Sequence, residues 1–239
     1  MNNWLFFNLP GLSRQCVLCG DPADSTLFCP GCREDLRHPG ALCRCCALPL
    51  ALPPGDEGGR LCGHCQARPP HYDAAHALFP YRWPLDRLIT RMKFGGRLSL
   101  ARDLGTLLGQ RLGDTVEGLV PVPAHPARRR ERGYNQAEIL ARHAARAAGL
   151  PLWHRVVVRR RATPAQTALS AAARRRNLRG AFAVAEENAG EICGRRLAII
   201  DDVMTTGSTV NELARVLRRA GAARIEVWVV ARAPHPGRG

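Results

Sequence analysis

Two adjacent carboxylates and the turn that follows them form the part of the sequence best suited to chemistry. Asp201 and Asp202 come directly after an apolar segment at 197–200, which predicts a buried strand. In parallel α/β proteins, ligands bind at the carboxyl ends of such strands. Two neighbouring carboxylates can accept hydrogen bonds from two vicinal hydroxyl groups of a sugar.

The turn after the acidic pair has the composition of an anion-binding turn. Small residues let the backbone curl around an anion, and hydroxyl groups add donors. The turn consists of Thr205, Thr206, Gly207, Ser208 and Thr209. A helix predicted at 209–220 would begin here, and helix N-termini present free N–H groups and a favourable dipole. Carboxylates beside an anion cradle fit a sugar phosphate better than a bare phosphate.

Three other interpretations of this run are weaker. A P-loop requires a lysine after its second glycine, and this run contains none. A receiver-type acidic pocket has its acids at the end of an early strand, whereas this pair lies late in the chain. The third alternative is a strand–turn–helix junction with incidental acids.

Eight of the ten cysteines have the spacing of metal ligands rather than of a disulfide framework. Eight form four pairs with two residues between the partners, and the N-terminal residues do not resemble a secretion signal. Two such pairs close a tetrahedral shell of four thiolates around zinc, and closed sites of this kind are structural. We assign one zinc to Cys16, Cys19, Cys29 and Cys32, and the other to Cys43, Cys46, Cys62 and Cys65. A cross-braced pairing is the alternative, and Cys45 and Cys193 are expected to be plain thiols.

Arginine is concentrated in one part of a strongly basic chain. Between Pro121 and Gly180 the sequence has fourteen arginines and two acids, which gives this stretch +12 of the net charge of +15. Clustered arginines indicate a polyanionic partner, either a nucleic acid or a polyphosphorylated small molecule. The alternative is a compositional bias in which arginines solvate helix faces. That alternative suits Arg142 and Arg146 better than Arg132.

The overall composition excludes some protein classes. Hydrophobic residues make up 46% of the chain and charged residues 23%, which is typical of a globular protein and not of a disordered one. The apolar runs are far shorter than the about 20 residues that a membrane span needs. We therefore expect a soluble, cytoplasmic protein.

The elements that must position these residues alternate in type. Residues 14–70 are rich in Cys, Gly and Pro and need a metal to fold. Residues 77–232 are predicted to alternate between strands and helices, which argues for a parallel sheet and an α/β fold. The predicted strands are 77–81, 118–122, 156–158, 181–184, 197–200 and 225–230, and the predicted helices are 85–92, 100–112, 134–148 and 209–220.

Several motifs between about residue 16 and residue 232 resemble those of the ComF family. They are the paired cysteines, Lys93-Phe94-Gly95-Gly96, Pro121-Val122-Pro123, Arg132-Gly133-Tyr134-Asn135-Gln136, Thr163-Pro164 with Gln166, Asn177 with Gly180 and Phe182, and the run from Asp201 to Thr209. The last run is also similar to the signature of type I phosphoribosyltransferases. The resemblance implies a small double zinc ribbon at 14–70 and a phosphoribosyltransferase-like parallel-sheet domain at 77–232. One departure is Ala47, where the second ribbon of the family usually has glycine.

The resemblance also implies a site for 5-phosphoribosyl-1-pyrophosphate. Asp201 and Asp202 would hold the ribose hydroxyls, the turn at 205–209 would hold the 5-phosphate, and Mg²⁺ would bridge the pyrophosphate and the ribose. Arg132 would act with the two acids in catalysis. An arginine-rich loop at 161–177 would close over the substrate. The pyrophosphate would be received by Arg129, Arg132, Gly133, Tyr134, Asn135 and Gln136.

Three functions are compatible with these features. The first is an enzyme in which an acceptor displaces pyrophosphate from the anomeric carbon of the ribose. The second is a non-catalytic adapter that binds the phosphoribosyl compound or single-stranded DNA during DNA uptake, the process that the resemblance implies. In the third, the zinc ribbons dock proteins of the competence machinery while the other half senses the metabolite.

Overall fold

The computed structural model describes residues 15–23, 27–51, 60–94, 96–124, 127, 129–130, 133–160, 178–185 and 188–234. Arg132 and the arginine-rich loop at 161–177 lie outside these residues. The chain divides into two compact units, Met1–Arg37 and His38–Gly239. Residues 38–70, which we expected to group with the first ribbon, thus belong to the second unit, and the domain limits 14–70 and 77–232 stay a prediction.

The helices and strands follow one another in an alternating order over most of the chain. They are α1 (Pro30–Asp35), α2 (Gly63–Ala67), β1 (Ala74–Pro80), α3 (Leu85–Phe94), α4 (Leu98–Gly109), β2 (Gly118–Pro121), α5 (Gln136–Ala148), β3 (Val157–Arg159), β4 (Phe182–Val184), α6 (Ala189–Ile192), β5 (Arg196–Met204), α7 (Ser208–Arg219) and β6 (Arg224–Arg232). Within the described residues, no helix combines the length and apolar character needed to cross a membrane.

The first unit is a loop-rich structure that surrounds four cysteines. Phe28 and Leu36 are buried together with Cys16 and Cys29. Cys29 is the N-cap of α1, and its sulfur accepts a hydrogen bond from the Cys32 amide. The described residues of this unit bury too few apolar side chains to stabilise a fold alone, and a metal would supply the missing stabilisation.

The second ribbon, described at 38–51 and 60–70, packs into the core of the second unit. Cys43, Cys46 and Cys65 belong to the same buried cluster as the sheet residues Ile199 and Val227. Its backbone also joins the sheet, because the Ala75 amide of β1 donates to the Arg44 carbonyl oxygen at 3.2 Å.

The core of the second unit is a parallel sheet of four strands in the order β1-β6-β5-β2, which confirms the predicted sheet type. Strand β5 lies inside this sheet and is nearly all buried from Leu197 to Ile200. It extends four residues beyond the predicted end, because Asp201 and Met204 still pair with β6. The acidic pair therefore lies within the last residues of β5 and not after the strand.

Helices cover the sheet and bring the ends of its strands into position. α5 packs on β2 and β5, and α4 packs closely on α5. A side chain at Gly105 of α4 would meet the Leu140 carbonyl oxygen at 2.5 Å, so glycine permits this close approach. α7 contacts β4, β5 and β6.

The predicted strands at 156–158 and 181–184 do form, but not in the parallel sheet. They correspond to β3 and β4, which pair antiparallel in a separate two-stranded sheet. Each has three residues and only one buried side chain, Val157 in β3 and Phe182 in β4. Strands this short and half-exposed cannot fill an interior position of a parallel sheet, which is buried on both faces.

Candidate functional site

The two acids lie side by side at the carboxyl end of β5 but in different environments. Asp202 is buried, with 8% of its surface exposed, whereas Asp201 is partly exposed. One oxygen of Asp201 accepts the Asp202 amide at 2.9 Å, and one oxygen of Asp202 accepts the Val203 amide at 2.6 Å. These local hydrogen bonds fix both carboxylates while leaving further lone pairs for a ligand.

Lys93, the only lysine of the chain, compensates the buried charge of Asp202. Its Nζ lies 3.0 Å from Oδ2 of Asp202, and its side chain is 23% exposed. At this distance the ammonium group and the carboxylate form an ion pair. The end of α3 thus places a cation next to the acid that we expected to hold a sugar.

The turn after β5 has the geometry of an anion cradle. Gly207 has a φ of +73° and is the N-cap of α7, a twelve-residue helix. The Thr206 and Ser208 hydroxyl oxygens are 2.9 Å apart, and the Ser208 amide lies 3.4 Å from Oγ1 of Thr206. Thr205 is exposed and Thr209 is half-buried. The helix N-terminus, the hydroxyl groups and the left-handed glycine suit a bound phosphate.

The positive φ of Gly207, +73°, would strain any other residue at this position, and the end of the Met204 side chain would also have to shift. A Cβ atom there would lie 2.8 Å from Cε of Met204 and 3.5 Å from the Tyr72 hydroxyl oxygen. Tyr72 is buried, and burial raises the pKa of its hydroxyl above the usual value, so this group stays protonated. The turn is therefore backed by packed side chains on its inner side.

The turn at 133–136 uses its side chains to hold the scaffold. The Tyr134 hydroxyl donates to the Met92 carbonyl oxygen at 2.8 Å, next to Lys93. Nδ2 of Asn135 donates to the Val122 carbonyl oxygen at 3.1 Å, and Oδ1 of Asn135 caps α5. Gln136 is buried with 6% exposure. The expected pyrophosphate contacts of Gly133, Tyr134, Asn135 and Gln136 stay a prediction.

The basic residues expected at the site are only partly described. Arg129 is exposed and its carbonyl oxygen accepts the Gly133 amide at 2.8 Å. The segment after the arginine-rich loop reaches α7, because the Gly180 amide donates to Glu212 at 2.8 Å. Glu212 belongs to α7, the helix that starts at the anion cradle, so Gly180 is tied to that helix.

The eight paired cysteines form two clusters in sequential and not cross-braced order. The four sulfurs of each cluster lie within 4.8 Å of one another. Sulfurs at about 2.3 Å from a tetrahedral zinc would be about 3.8 Å apart. The sulfurs of Cys19 and Cys29 are 3.5 Å apart and those of Cys46 and Cys62 are 3.7 Å apart, which agrees with that spacing. Both clusters fit zinc, and Cys45 and Cys193 belong to neither.

The acidic pair offers a less complete set of ligands to a metal. Within the described residues, the only groups of three or more potential metal ligands are the two cysteine clusters. Asp201 and Asp202 have the hard oxygens that Mg²⁺ prefers, but Lys93 already lies against Asp202. These residues fit a magnesium ion whose remaining ligands come from a substrate.

Sequence reasoning assigned no role to Lys93, Tyr72 or Arg232, which contact the acidic pair or the cradle. Lys93 lies in one of the motifs that resemble the ComF family and is the only lysine of the chain, but neither fact indicates its contact with Asp202. Arg232 is buried at the end of β6 and donates to the carbonyl oxygens of Met204 and Thr205. No local pattern distinguishes it from the other arginines.

Comparison with known proteins gives two family matches. Residues 9–67 match the double zinc ribbon domain, and residues 132–238 match the phosphoribosyl transferase domain. The first match covers both cysteine clusters, and the second covers the acidic pair and the anion cradle.

Two relatives are similar over most of the chain and a third over about two thirds of it. Competence protein F of Haemophilus influenzae is 36% identical over 86% of this chain and 90% of its own length. The DNA utilization protein YhgH of Salmonella typhimurium is 35% identical over 94% of this chain and 98% of its own length. Competence protein ComFC of Streptococcus pneumoniae is 27% identical over 65% of this chain and 67% of its own length.

The cysteine clusters lead to a prediction about metal content. We expect two zinc ions per chain, and about one in either Cys32→Ser or Cys62→Ser, because each substitution opens one closed four-thiolate site. Both cysteines are partly exposed, so the two variants are matched in burial. Elemental analysis of the purified proteins measures the ratio; two zinc ions retained in both variants would contradict the assignment.

Proposed function

Because the chain belongs to the family of Competence protein F and the DNA utilization proteins YhgH, we propose that it binds 5-phosphoribosyl-1-pyrophosphate in the service of DNA uptake. The observation that supports this most directly is the juxtaposition at the end of β5. A half-buried acidic pair and an anion cradle are separated only by Val203 and Met204. A phosphorylated sugar has both groups that such a site recognises.

In the proposed complex, the sugar lies across the end of β5. The carboxylates of Asp201 and Asp202 accept the 2- and 3-hydroxyls of the ribose. The amides and hydroxyls of the cradle at 205–209 donate to the 5-phosphate, as at other helix N-termini that bind phosphate. Lys93 pairs with Asp202 and adds a positive charge near an anionic ligand.

Asp201 and Asp202 would hold Mg²⁺ together with oxygens of the substrate. The ion would neutralise the pyrophosphate and polarise the bond to the anomeric carbon. Arg129 and Arg132 supply the guanidinium groups that match pyrophosphate oxygens. Because Lys93 occupies one side of Asp202, we expect magnesium without the substrate to bind only weakly.

The chemistry of such a site would be transfer of the phosphoribosyl group. The bond between the anomeric carbon and the pyrophosphate oxygen breaks, the acceptor forms a bond to the same carbon, and the acceptor loses a proton. Electrostatic stabilisation of the leaving pyrophosphate would supply most of the rate enhancement. A panel of bases and amines, each assayed for release of pyrophosphate, would identify the acceptor.

A non-catalytic adapter for single-stranded DNA is the second candidate, and the arginine-rich segment at 121–180 favours it. If this segment contacts DNA phosphates, the affinity for an oligonucleotide should fall steeply with salt. The expected slope of log K against log salt is about −0.7 per phosphate contact for a single strand. Fluorescence anisotropy measures it, and a slope near zero would exclude this candidate.

The acidic pair provides the principal test of ligand binding. Asp202→Asn should weaken binding of 5-phosphoribosyl-1-pyrophosphate about tenfold, because it replaces a charged acceptor, worth about 1.5–3 kcal/mol, by a neutral one, worth about 0.5–1.5 kcal/mol. Asp114→Asn, at an exposed position, is the matched control and should bind normally. Calorimetry with zinc-loaded protein and Mg²⁺ measures both affinities, and equal affinities of the two variants would refute the proposed site.

Lys93 offers an independent test because it is the only lysine. Acylation by an amine-reactive reagent should slow several-fold when the phosphoribosyl compound and Mg²⁺ are bound, since the ligand would cover its Nζ. A lysine-containing peptide added to the same solution serves as the reference, and its acylation rate should not change. Mass spectrometry of the digested mixture gives both rates; equal acylation of Lys93 with and without ligand would argue against this position for the sugar.

A further inference from the structure

Arg232, the last residue of β6, is a buried cation whose hydrogen-bond acceptors are backbone carbonyl oxygens. Only 4% of its surface is exposed. In the sheet it lies directly opposite Met204, the last residue of β5. A buried guanidinium must replace its hydration with hydrogen bonds, so the atoms around it are held in a defined arrangement.

One nitrogen of this guanidinium holds the start of the anion cradle. Nη1 donates to the Met204 carbonyl oxygen at 2.9 Å and to the carbonyl oxygens of Thr205 and Ala233. The Ala233 amide also donates to the Met204 carbonyl oxygen, at 3.0 Å. Two consecutive carbonyl groups of the cradle therefore point inward to Arg232.

Because the peptide bond is planar, the hydrogen bonds from Arg232 to these carbonyl oxygens also fix the direction of the N–H groups that follow them. In a trans peptide the C=O of one residue and the N–H of the next point in opposite directions. Inward carbonyl groups at Met204 and Thr205 therefore aim the N–H groups of Thr205 and Thr206 away from Arg232. These two N–H groups are then available to donate hydrogen bonds to an anion in the cradle.

The other side of the guanidinium reaches the second cysteine cluster. Nε of Arg232 donates to the Cys46 carbonyl oxygen at 2.7 Å. The turn at Cys46 is closed by a 2.8 Å hydrogen bond from the Ala47 amide to the Cys43 carbonyl oxygen. A zinc ion with four thiolates has two net negative charges, so the cation of Arg232 also lies favourably beside it.

We propose that Arg232 is a positioning residue that aims the Thr205 and Thr206 amides at the 5-phosphate and couples them to the second cysteine cluster. The phosphate part of this inference rests on the proposed function, whereas the coupling does not. The second ribbon is then part of the support of the ligand site, and its metal controls how well the cradle is ordered.

The coupling is tested first without any ligand, by hydrogen exchange. Three reporter amides donate to acceptors in or next to the cradle: Ser208, Asn211 and Ala233. In Arg232→Met their exchange should be at least tenfold faster than in the unsubstituted protein. Arg224→Met removes an arginine from the opposite end of the same strand and should leave all three unchanged. Unchanged exchange in Arg232→Met would overturn the proposal.

Arg232→Lys covers the case in which the methionine variant does not fold. It keeps the cation and the aliphatic stem, but one ammonium group cannot reach both the Cys46 and the Thr205 carbonyl oxygens. Exchange of the reporter amides should lie between that of the unsubstituted protein and that of a disordered cradle. Exchange equal to that of the unsubstituted protein would overturn the proposal.

Ligand affinity separates this inference from the proposed function. Arg232→Met should bind both 5-phosphoribosyl-1-pyrophosphate and ribose 5-phosphate at least tenfold more weakly, because both need the aimed amides. Inorganic pyrophosphate has no 5-phosphate, and its binding should change less. If the unsubstituted protein binds neither sugar, the proposed function fails, while the exchange experiment still decides the role of Arg232.

The contribution of the metal is tested with the matched cysteine variants. Cys62→Ser opens the cluster that Arg232 contacts, and Cys32→Ser opens the cluster of the other compact unit. Exchange of the three reporter amides should rise in Cys62→Ser and stay unchanged in Cys32→Ser. Equal exchange in both variants would refute the coupling to the second cluster.

Discussion

The buried charge of Arg232 determines how three parts of the second unit meet. A guanidinium keeps its proton under all ordinary conditions, so its burial is tolerated only where hydrogen bonds replace water. Its acceptors are carbonyl oxygens of the second ribbon, of the end of β5 and the turn after it, and of Ala233, the residue after Arg232. Moving either the ribbon or the turn away would remove part of the hydrogen bonds that replace water around this charge. The ribbon, the end of the sheet and the anion cradle are therefore specified together.

A second charge constrains the site from another direction. The buried carboxylate of Asp202 needs a compensating cation, and Lys93 provides it from the end of α3. The same end of α3 is held by the Tyr134 hydroxyl, which donates to the Met92 carbonyl oxygen. The turn at 133–136, the lysine and the acidic pair thus form one connected set. A ligand that pairs with Asp202 must compete with Lys93 or extend the network to include it.

The sequence allowed the local parts of this arrangement to be predicted, but not the contacts that join them. Cysteine spacing and the run from Asp201 to Thr209 depend on near neighbours, and the alternation of elements predicted the parallel sheet. The predicted end of β5 was too early, because apolar pattern reports burial and the last pairs with β6 involve a polar residue, Asp201. The positions of Lys93 and Arg232 depend on segments far apart in the chain. A single basic residue in an arginine-rich sequence has no pattern that reveals such a contact.

The two ribbons have similar cysteine spacing, but different residues adopt the positive φ that their turns require. The residue after the second cysteine adopts positive φ in both, +87° at Gly20 and +55° at Ala47. Alanine in this conformation costs about 1–2 kcal/mol. Ala47 is fully buried, and burial of a methyl group offsets about 0.8 kcal/mol of that cost. An alanine at this turn is therefore understandable only where the ribbon packs against a core. The second ribbon is built as a part of the unit that holds the cradle, whereas the first is a separate unit that depends on its own metal.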